Sequence, residues 1–499
     1  MDAITRVTLP ALNFLTTLFV FAIGFSFLLV IILYFVDRGQ TRNAVRHNYP
    51  VIGRFRYLFS SLGEFFRQYF FAMDREEMPF NRAEREWIDK SAKGHNNNQP
   101  FGSTRNLALT GTPIFVNCAF PRLDEEASDP PPVIYGPHTP NPYEASSIIN
   151  ISGMSYGALS KPAVQALSRG ANEANCWMNT GEGALSPYHL EGNADIVFQI
   201  GTAKYGVRND DGTLSDEKLA KLAARPQVKM IEIKLAQGAK PGKGGILPAA
   251  KVSAEIAEIR GIPEGEASIS PNRHPEVDSV DDLLDFIAHV REVSGLPTGF
   301  KTVIGAYGWI YKLCDEIDKR GHESAPDFIT VDGGDGGTGA APMSLMDNVG
   351  LPLKQALPTL VDILERRGLK DRIKVVASGK LVTPAEVAWA YCAGADTVVT
   401  ARGFMFSIGC IQALKCNTND CPTGVTTHKK RLQEGLDPKV KYINAANYVE
   451  KMRKDVAMIA HSSGAAHARG LRRHHVRIVQ ADGTSIPLDE ICKRNAPTL

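Results

Sequence analysis

The hydropathy pattern opens with 26 positions, Ala11 to Val36, that contain no charged residue. At about 1.5 Å per residue a helix there reaches about 39 Å, enough to cross a hydrocarbon core of about 30 Å with tilt. The run is longer than the apolar region of a secretory signal, and no A-x-A-like cleavage site follows it, so the pattern predicts a membrane anchor over residues 1–36. Arg38, Arg42, Arg46, Arg54 and Arg56 follow the run, against Asp2 and Arg6 before it. The positive-inside rule then leaves the long C-terminal part in the cytoplasm on a single-pass anchor. From Phe55 to Phe71 aromatic residues interleave with Glu64 and Arg67. That stretch fits an amphipathic helix on the membrane surface or a helix packed on the main domain.

A proline-rich stretch, Asp124 to Pro142, reads as an extended surface segment ending an extension over residues 37–145. Beyond it, short β-branched runs alternate with helical patterns. Strands are expected at Ser147–Gly153, Cys176–Thr180, Ile196–Gly201, Met230–Leu235, Gly299–Ile304, Phe328–Asp332, Lys374–Ser378 and Thr397–Ala401. Helices are expected at Ser160–Ala174, Ala249–Arg260, Val280–Val293, Leu353–Arg367 and Thr383–Cys392, with Pro162 and Pro384 where a first turn tolerates proline. Eight alternations predict an α/β fold, a (β/α)8 TIM barrel over residues 146–485 with a tail over 486–499, and a site at the C-terminal ends of the strands.

Composition narrows the function classes. With 56 basic and 54 acidic residues the net charge is +2 and no block of like charge stands out, which argues against nucleic acid as a partner. Eight cysteines are too sparse for a disulfide scaffold, yet Cys410, Cys416 and Cys421 crowd together. Three thiolates suit an iron–sulfur cluster, and a zinc site completed by His428 is the alternative on spacing alone. Glycines follow the strand ends, most densely from Gly333 to Gly339. There they either serve tight turns or let backbone N–H groups approach a phosphate. Gly334 to Gly339 fits G-x-G-x-x-G, but no strand ending in an acidic residue follows about 20 residues later, as dinucleotide binding wants. In a barrel the phosphate loops follow strands 7 and 8, here Ser378-Gly379 and Arg402-Gly403.

Several motifs occur together and in order: Met154 to Ala158, Asn179 to Gly183, Glu232 to Gly242, Ile269 to Pro271, Gly333 to Pro342 and Cys410 to Gly424. Over roughly Pro113 to the C-terminal region they resemble the FMN-binding synthase domain of glutamate synthase and its stand-alone relatives. The resemblance implies an oxidoreductase acting on CH–NH2 donors, with FMN and a [3Fe–4S] cluster, that reductively aminates 2-oxoglutarate through an imine. It implies Cys410, Cys416 and Cys421 as cluster ligands in a loop over 410–421, and Gln237, Lys240 and Arg260 as 2-oxoglutarate contacts. Taken alone, Arg260 reads as a solvated helix-end arginine and Lys240 as a loop charge. Glu182 and Lys240 are the implied catalytic pair, with Glu182 moving a proton or positioning ammonia. Met154, Ser155 and Thr180 would lie near the flavin ring, and Lys301 would stabilise negative charge on it or simply pair with a nearby carboxylate. The phosphate would fall to Gly336, Gly337, Gly339, Ser378, Gly379, Arg402 and Gly403.

The chain departs from the pattern in places. It begins Met1-Asp2 with no cysteine before Cys118, so the glutaminase domain is expected to be absent. Lys243 stands where the family has Glu, and Asn272-Arg273-His274 replaces a proline-rich run. The amine, ammonia or another such as methylamine, stays open, as does a flavin and iron–sulfur electron-transfer protein without amination. No Rossmann pattern accompanies the barrel, so the electron donor is expected to be external, ferredoxin or a partner subunit. Assembly into a homo-oligomer stays open.

Overall fold

In the computed structural model, which describes residues 2–40 and 43–494, all eight expected strands form. They are β1 Ile149–Ile151, β2 Met178–Asn179, β3 Ile196–Ile200, β4 Val228–Lys234, β5 Thr298–Thr302, β6 Phe328–Asp332, β7 Lys374–Ser378 and β8 Thr397–Thr400. Every neighbour pairing is parallel, and β8 returns to β1 with Val399 opposite Asn150, so the sheet closes as a TIM-type barrel. The strands are buried almost throughout because helices cover their outer face, which is why they read as largely apolar runs rather than as an apolar–polar alternation. The chain divides into two compact units, Met1–Ala83 and Glu84–Leu499.

The helices start where capping residues allow. Ser160 accepts from the N–H of Ala163 to open Lys161–Glu173, and Thr383 with Glu386 forms a capping box on Pro384–Cys392. The expected helix over 249–260 is instead broken into a 3-10 turn, Ala249–Lys251, and a helix, Ala254–Arg260. Ser253 is the reason, since its side chain caps the N–H of Ile256 and starts the second piece afresh. Past β8, a long helix not anticipated from the sequence, Pro438–Ser462, crosses Lys161–Glu173 so closely that a Cβ on Gly170 would lie 2.8 Å from the Cβ of Ala445.

The proline-rich segment is not wholly a surface strap. Its Val133–Tyr135 pairs with Tyr143–Ala145 as a hairpin under the N-terminal ends of the strands. Tyr135 is fully buried among Trp177, Phe328 and Val376, and its hydroxyl donates to Thr397 Oγ1 at 2.8 Å. This apolar plug closes the barrel floor and leaves its other end as the mouth. Pro113–Phe115 adds to an antiparallel sheet with Val476–Val479 and Ser485–Pro487.

In the N-terminal unit, helix Asp2–Gly39 contains a stretch, Thr8–Gly39, long and apolar enough to cross a membrane and with none of its apolar window buried. The aromatic segment is helical, Ile52–Phe66 continuing as a π-helical turn to Phe71. Asp37 is bound by Arg54 at 2.7 Å and accepts from the N–H of Val51, fixing the start of this helix to the end of the long one. Arg42 of the basic flank and residues 495–499 of the tail lie outside the described residues.

Candidate active site

At the barrel mouth Glu182, on the loop after β2, meets Lys234, the last residue of β4, at 3.1 Å. Two glycines make room for it. A Cβ on Gly245 would sit 2.2 Å from Glu182 Oε1, and one on Gly201 would sit 2.6 Å from its Cβ. Burial alone would raise the Glu182 carboxyl, but Lys234, Lys240 and Arg260 outweigh it and hold the group below the usual carboxylate range. Glu182 is therefore an ionised carboxylate with three cations around it.

Lys240 is 5% exposed, and among the described residues its ammonium makes no hydrogen bond or close ion pair. Burial, then the like charge of Lys234, lowers its pKa, with Glu182 acting the other way. Arg260 is equally buried. Its Nη2 donates to the carbonyl of Tyr156 at 3.0 Å, its plane lies over Tyr205, and its Nε is buried without a partner. Gly157 and Gly183 admit it, since a Cβ on either would come within 3.0 and 2.8 Å of Nη2. Gln237 links Lys234 to the glycine loop, accepting from Lys234 and donating to Thr338 Oγ1 at 2.7 Å. The structure thus brings together Glu182, Gln237, Lys240 and Arg260, and adds Lys234.

Beneath the mouth lie two buried carboxylates. Glu232 accepts from Asn179, Gln199 and Thr330 at 2.6–2.8 Å. Asp332 accepts from the N–H of Gly238 and from Ser378 Oγ, both at 2.9 Å, and pairs with Lys301 at 3.1 Å. Burial works against the Lys301 charge, but Asp332 and Glu232 more than compensate and raise its pKa.

The loops after β1, β2, β6, β7 and β8 gather the residues expected near a flavin. Gly181, at φ 62°, lies so close to Met154 and Ser155 that a Cβ would be 2.7 Å from the Ser155 nitrogen. Thr180 is buried, its hydroxyl accepting from the N–H of Gln199. Gly336 is turned inward, its N–H held by the Gly333 carbonyl. By contrast, the N–H groups of Gly337, Thr338, Gly339, Gly379 and Lys380 donate to nothing among the described residues. Nothing lies within 4 Å of a Cβ placed on Gly339. Free backbone donors from two adjacent loops, with open space beside them, fit a phosphate. Arg402 binds the Thr338 carbonyl at 2.6 Å and approaches Cys416 Sγ at 3.9 Å, while Gly403 packs under Tyr448.

Cys410, Cys416 and Cys421 share the loop after β8. Burial chiefly raises the Cys410 thiol, which also feels Cys416 and Cys421, whereas hydrogen bonds from Thr423 and Thr426 outweigh burial and lower that of Cys421. Among the described residues no three Cys, His, Asp or Glu side chains converge as one metal ion would require. His428, the alternative zinc ligand, turns its Nε2 to the carbonyl of Gly157 at 2.8 Å.

Sequence reasoning passed over Lys234, Asp332 and Lys251 as site residues. Glu232 and Lys234 stand two apart in the buried C-terminal half of β4, so both face the barrel interior, a signal that was available. Lys251, before a serine cap in an apparently continuous helix, gave none.

A family model described as the conserved region in glutamate synthase matches residues 117–466. The glutamate synthase large subunit-like protein YerD of Bacillus subtilis is 39% identical over 498 residues, covering 92% of this chain and 94% of that protein. The archaeal glutamate synthase [NADPH] of Methanocaldococcus jannaschii is 34% identical over 66% of this chain and 61% of its own length, so the chain spans less than two thirds of that relative. Among solved structures, the flavin-binding domain of baker's yeast flavocytochrome b2 aligns at TM-score 0.45 and 14% identity, over 84% of this chain and 85% of that one.

Proposed function

Because the chain belongs to the glutamate synthase family, we propose that it reductively aminates 2-oxoglutarate, using FMN and a [3Fe–4S] cluster held by Cys410, Cys416 and Cys421. The observation that carries this reading is the charge at the mouth. Three cations, Lys234, Lys240 and Arg260, act on one carboxylate, Glu182, and this local positive excess favours an anionic substrate such as a dicarboxylate. Lys240 supplies a point charge and Arg260 an unsatisfied Nε–H. Glu182, kept ionised, would take the proton that an ammonium or alkylammonium must lose before attacking the oxo carbon. It would return a proton as water leaves to give the imine. Bound FMN would supply the hydride and the cluster a one-electron relay. The unpaired N–H groups of 337–339, 379 and 380 support the phosphate assignment.

A second reading is an amine other than ammonia, such as methylamine, giving N-methylglutamate. Lys243 and Asn272-Arg273-His274 favour it. The Gly244 N–H donates to Asn272 at 3.4 Å, and the neighbouring Gly245 abuts Glu182. These departures therefore flank the carboxylate that would handle the amine. Electrons are proposed to arrive from ferredoxin or a partner subunit, with the barrel on the cytoplasmic side of a membrane crossed by Thr8–Gly39.

The test is anaerobic reoxidation of the reduced protein. 2-Oxoglutarate with ammonium or methylamine should reoxidise the flavin and yield the matching amino acid, and pyruvate with the same amines should not. Equal rates with pyruvate would refute the dicarboxylate reading, and no reoxidation by any pair would favour electron transfer without amination.

A further inference from the structure

Lys251 is 2% exposed, and its ammonium donates to three backbone carbonyls: Ala158 at 3.3 Å, Cys416 at 2.8 Å and Thr426 at 2.6 Å. An ammonium has three donors, so this set satisfies it completely without a carboxylate. The acceptors are informative. Ala158 belongs to the loop after β1 that begins Met154-Ser155 and carries the Tyr156 carbonyl on which Arg260 docks. Cys416 and Thr426 bracket Cys421. Next to Lys251, the Ala250 carbonyl accepts from Asn419 at 3.1 Å, and Asn419 in turn accepts from Thr427 and from the N–H of His428. A loop with little regular structure is thus tied at both ends to one buried point. That point lies on the chain between Lys240 and Arg260.

We propose that Lys251 is a positioning residue that clamps the cysteine loop against the flavin-side loop after β1, setting the geometry in which the three thiols hold their cluster. The proposal rests on the cluster reading given above. A lysine that merely filled space could be replaced by methionine, which keeps the stem. A clamp could not, because methionine leaves three buried carbonyls unpaired.

The test compares Lys251→Met and Lys251→Gln with wild type as full-length protein in detergent. It reads backbone deuterium exchange over residues 410–428, iron per chain, the cluster's electron paramagnetic resonance signal and flavin absorbance. In Lys251→Met the loop amides should exchange about tenfold faster or more, with iron falling below one cluster per chain and flavin and barrel-helix protection unchanged. Lys251→Gln, which keeps an amide donor, should lie between. Wild-type protection and iron content in Lys251→Met would overturn the proposal. So would loss of protection throughout the barrel in both variants, which would make Lys251 a general folding residue. If wild type carries no iron, the cluster reading fails by itself, and loop exchange alone decides the clamp.

Discussion

Replacing Lys240 with methionine removes a buried cation while keeping an unbranched side chain of similar length. In the ligand-free protein that ammonium has been taken out of water without a direct partner, and burial and Lys234 already press it toward neutrality. Losing an unpaired buried charge is commonly neutral or stabilising, and Glu182 keeps Lys234 at 3.1 Å. The melting temperature of Lys240→Met should therefore equal or exceed that of wild type. With 2-oxoglutarate bound the balance reverses. One charge-assisted hydrogen bond to a desolvated carboxylate is lost, at a cost of about 1.5–3 kcal/mol, or roughly 10- to 200-fold in affinity. The Glu182 carboxyl should also rise, because one of the cations holding it down is gone. Any acidic limb in the pH dependence of reoxidation should then move to higher pH. Reduced flavin in the variant should be reoxidised slowly by 2-oxoglutarate plus amine and normally by an artificial acceptor. Equal loss with both acceptors would make Lys240 a flavin or folding residue. Unchanged affinity for 2-oxoglutarate would refute the charge argument outright.

Cys416→Ser should lose the cluster signal and iron yet keep its flavin spectrum, because the free N–H groups assigned to the phosphate stand on the loops after β6 and β7; tightly bound zinc in wild type would count against the cluster. Deleting residues 2–39 should move the protein from the membrane to the soluble fraction on fractionation, with flavin retained; continued membrane association would shift the anchor to the aromatic helix at Ile52–Phe71. Burial, and then the charge of Glu84, push the Glu386 carboxyl up to about 7 in the folded protein, although it accepts from the N–H groups of Val382 and Thr383. The folded state therefore holds this proton where the unfolded chain, with a value near 4.3, has released it. Stability contributed by this group is present at low pH and lost as pH rises toward and past 7. Glu386→Gln keeps an acceptor for both N–H groups, so it should raise the melting temperature at about pH 8 and leave it unchanged near pH 4.

The barrel was legible because most of its strands carry two signals at once, a short run rich in β-branched and other apolar residues and a glycine or polar residue at or just past the C-terminal end. β4 shows how far that extends. Met230 to Leu235 reads as a strand from its apolar residues, and Glu232 with Lys234 marks the face toward the site. Elements whose position depends on distant partners were hidden. Val133–Tyr135 sits just after three prolines, and nothing local says that Tyr135 will meet Trp177 and Phe328 in the barrel floor. Helix Pro438–Ser462 lies beyond the last strand, where the repeating pattern had ended, and its seat depends on the missing Cβ of Gly170. Lys251 was hidden for a related reason. Its partners are backbone carbonyls, which every residue possesses, so no side-chain motif announces it.

The two buried carboxylates explain why the cations at the mouth divide into two kinds. Glu232, in β4, gathers side chains from β2, β3 and β6. Asp332, at the end of β6, gathers β5 through Lys301, β7 through Ser378 and the loop after β4 through Gly238. Each carboxylate joins strands that are not all neighbours in the sheet, so together they fix the spacing of the strand ends on which the loops stand. Lys301 lies within the field of both, its charge raised in pKa and already compensated. Lys240 and Arg260 lie outside that layer, and burial lowers the pKa of each. An anion entering the mouth would gain little from a lysine whose charge is already matched, and much from cations that have no carboxylate at salt-bridge distance among the described residues. Lys301 thus belongs to the scaffold as much as to any ligand, and its removal would strand Asp332 in the barrel interior. Lys240 is the residue whose replacement should separate loss of anion binding from loss of folding.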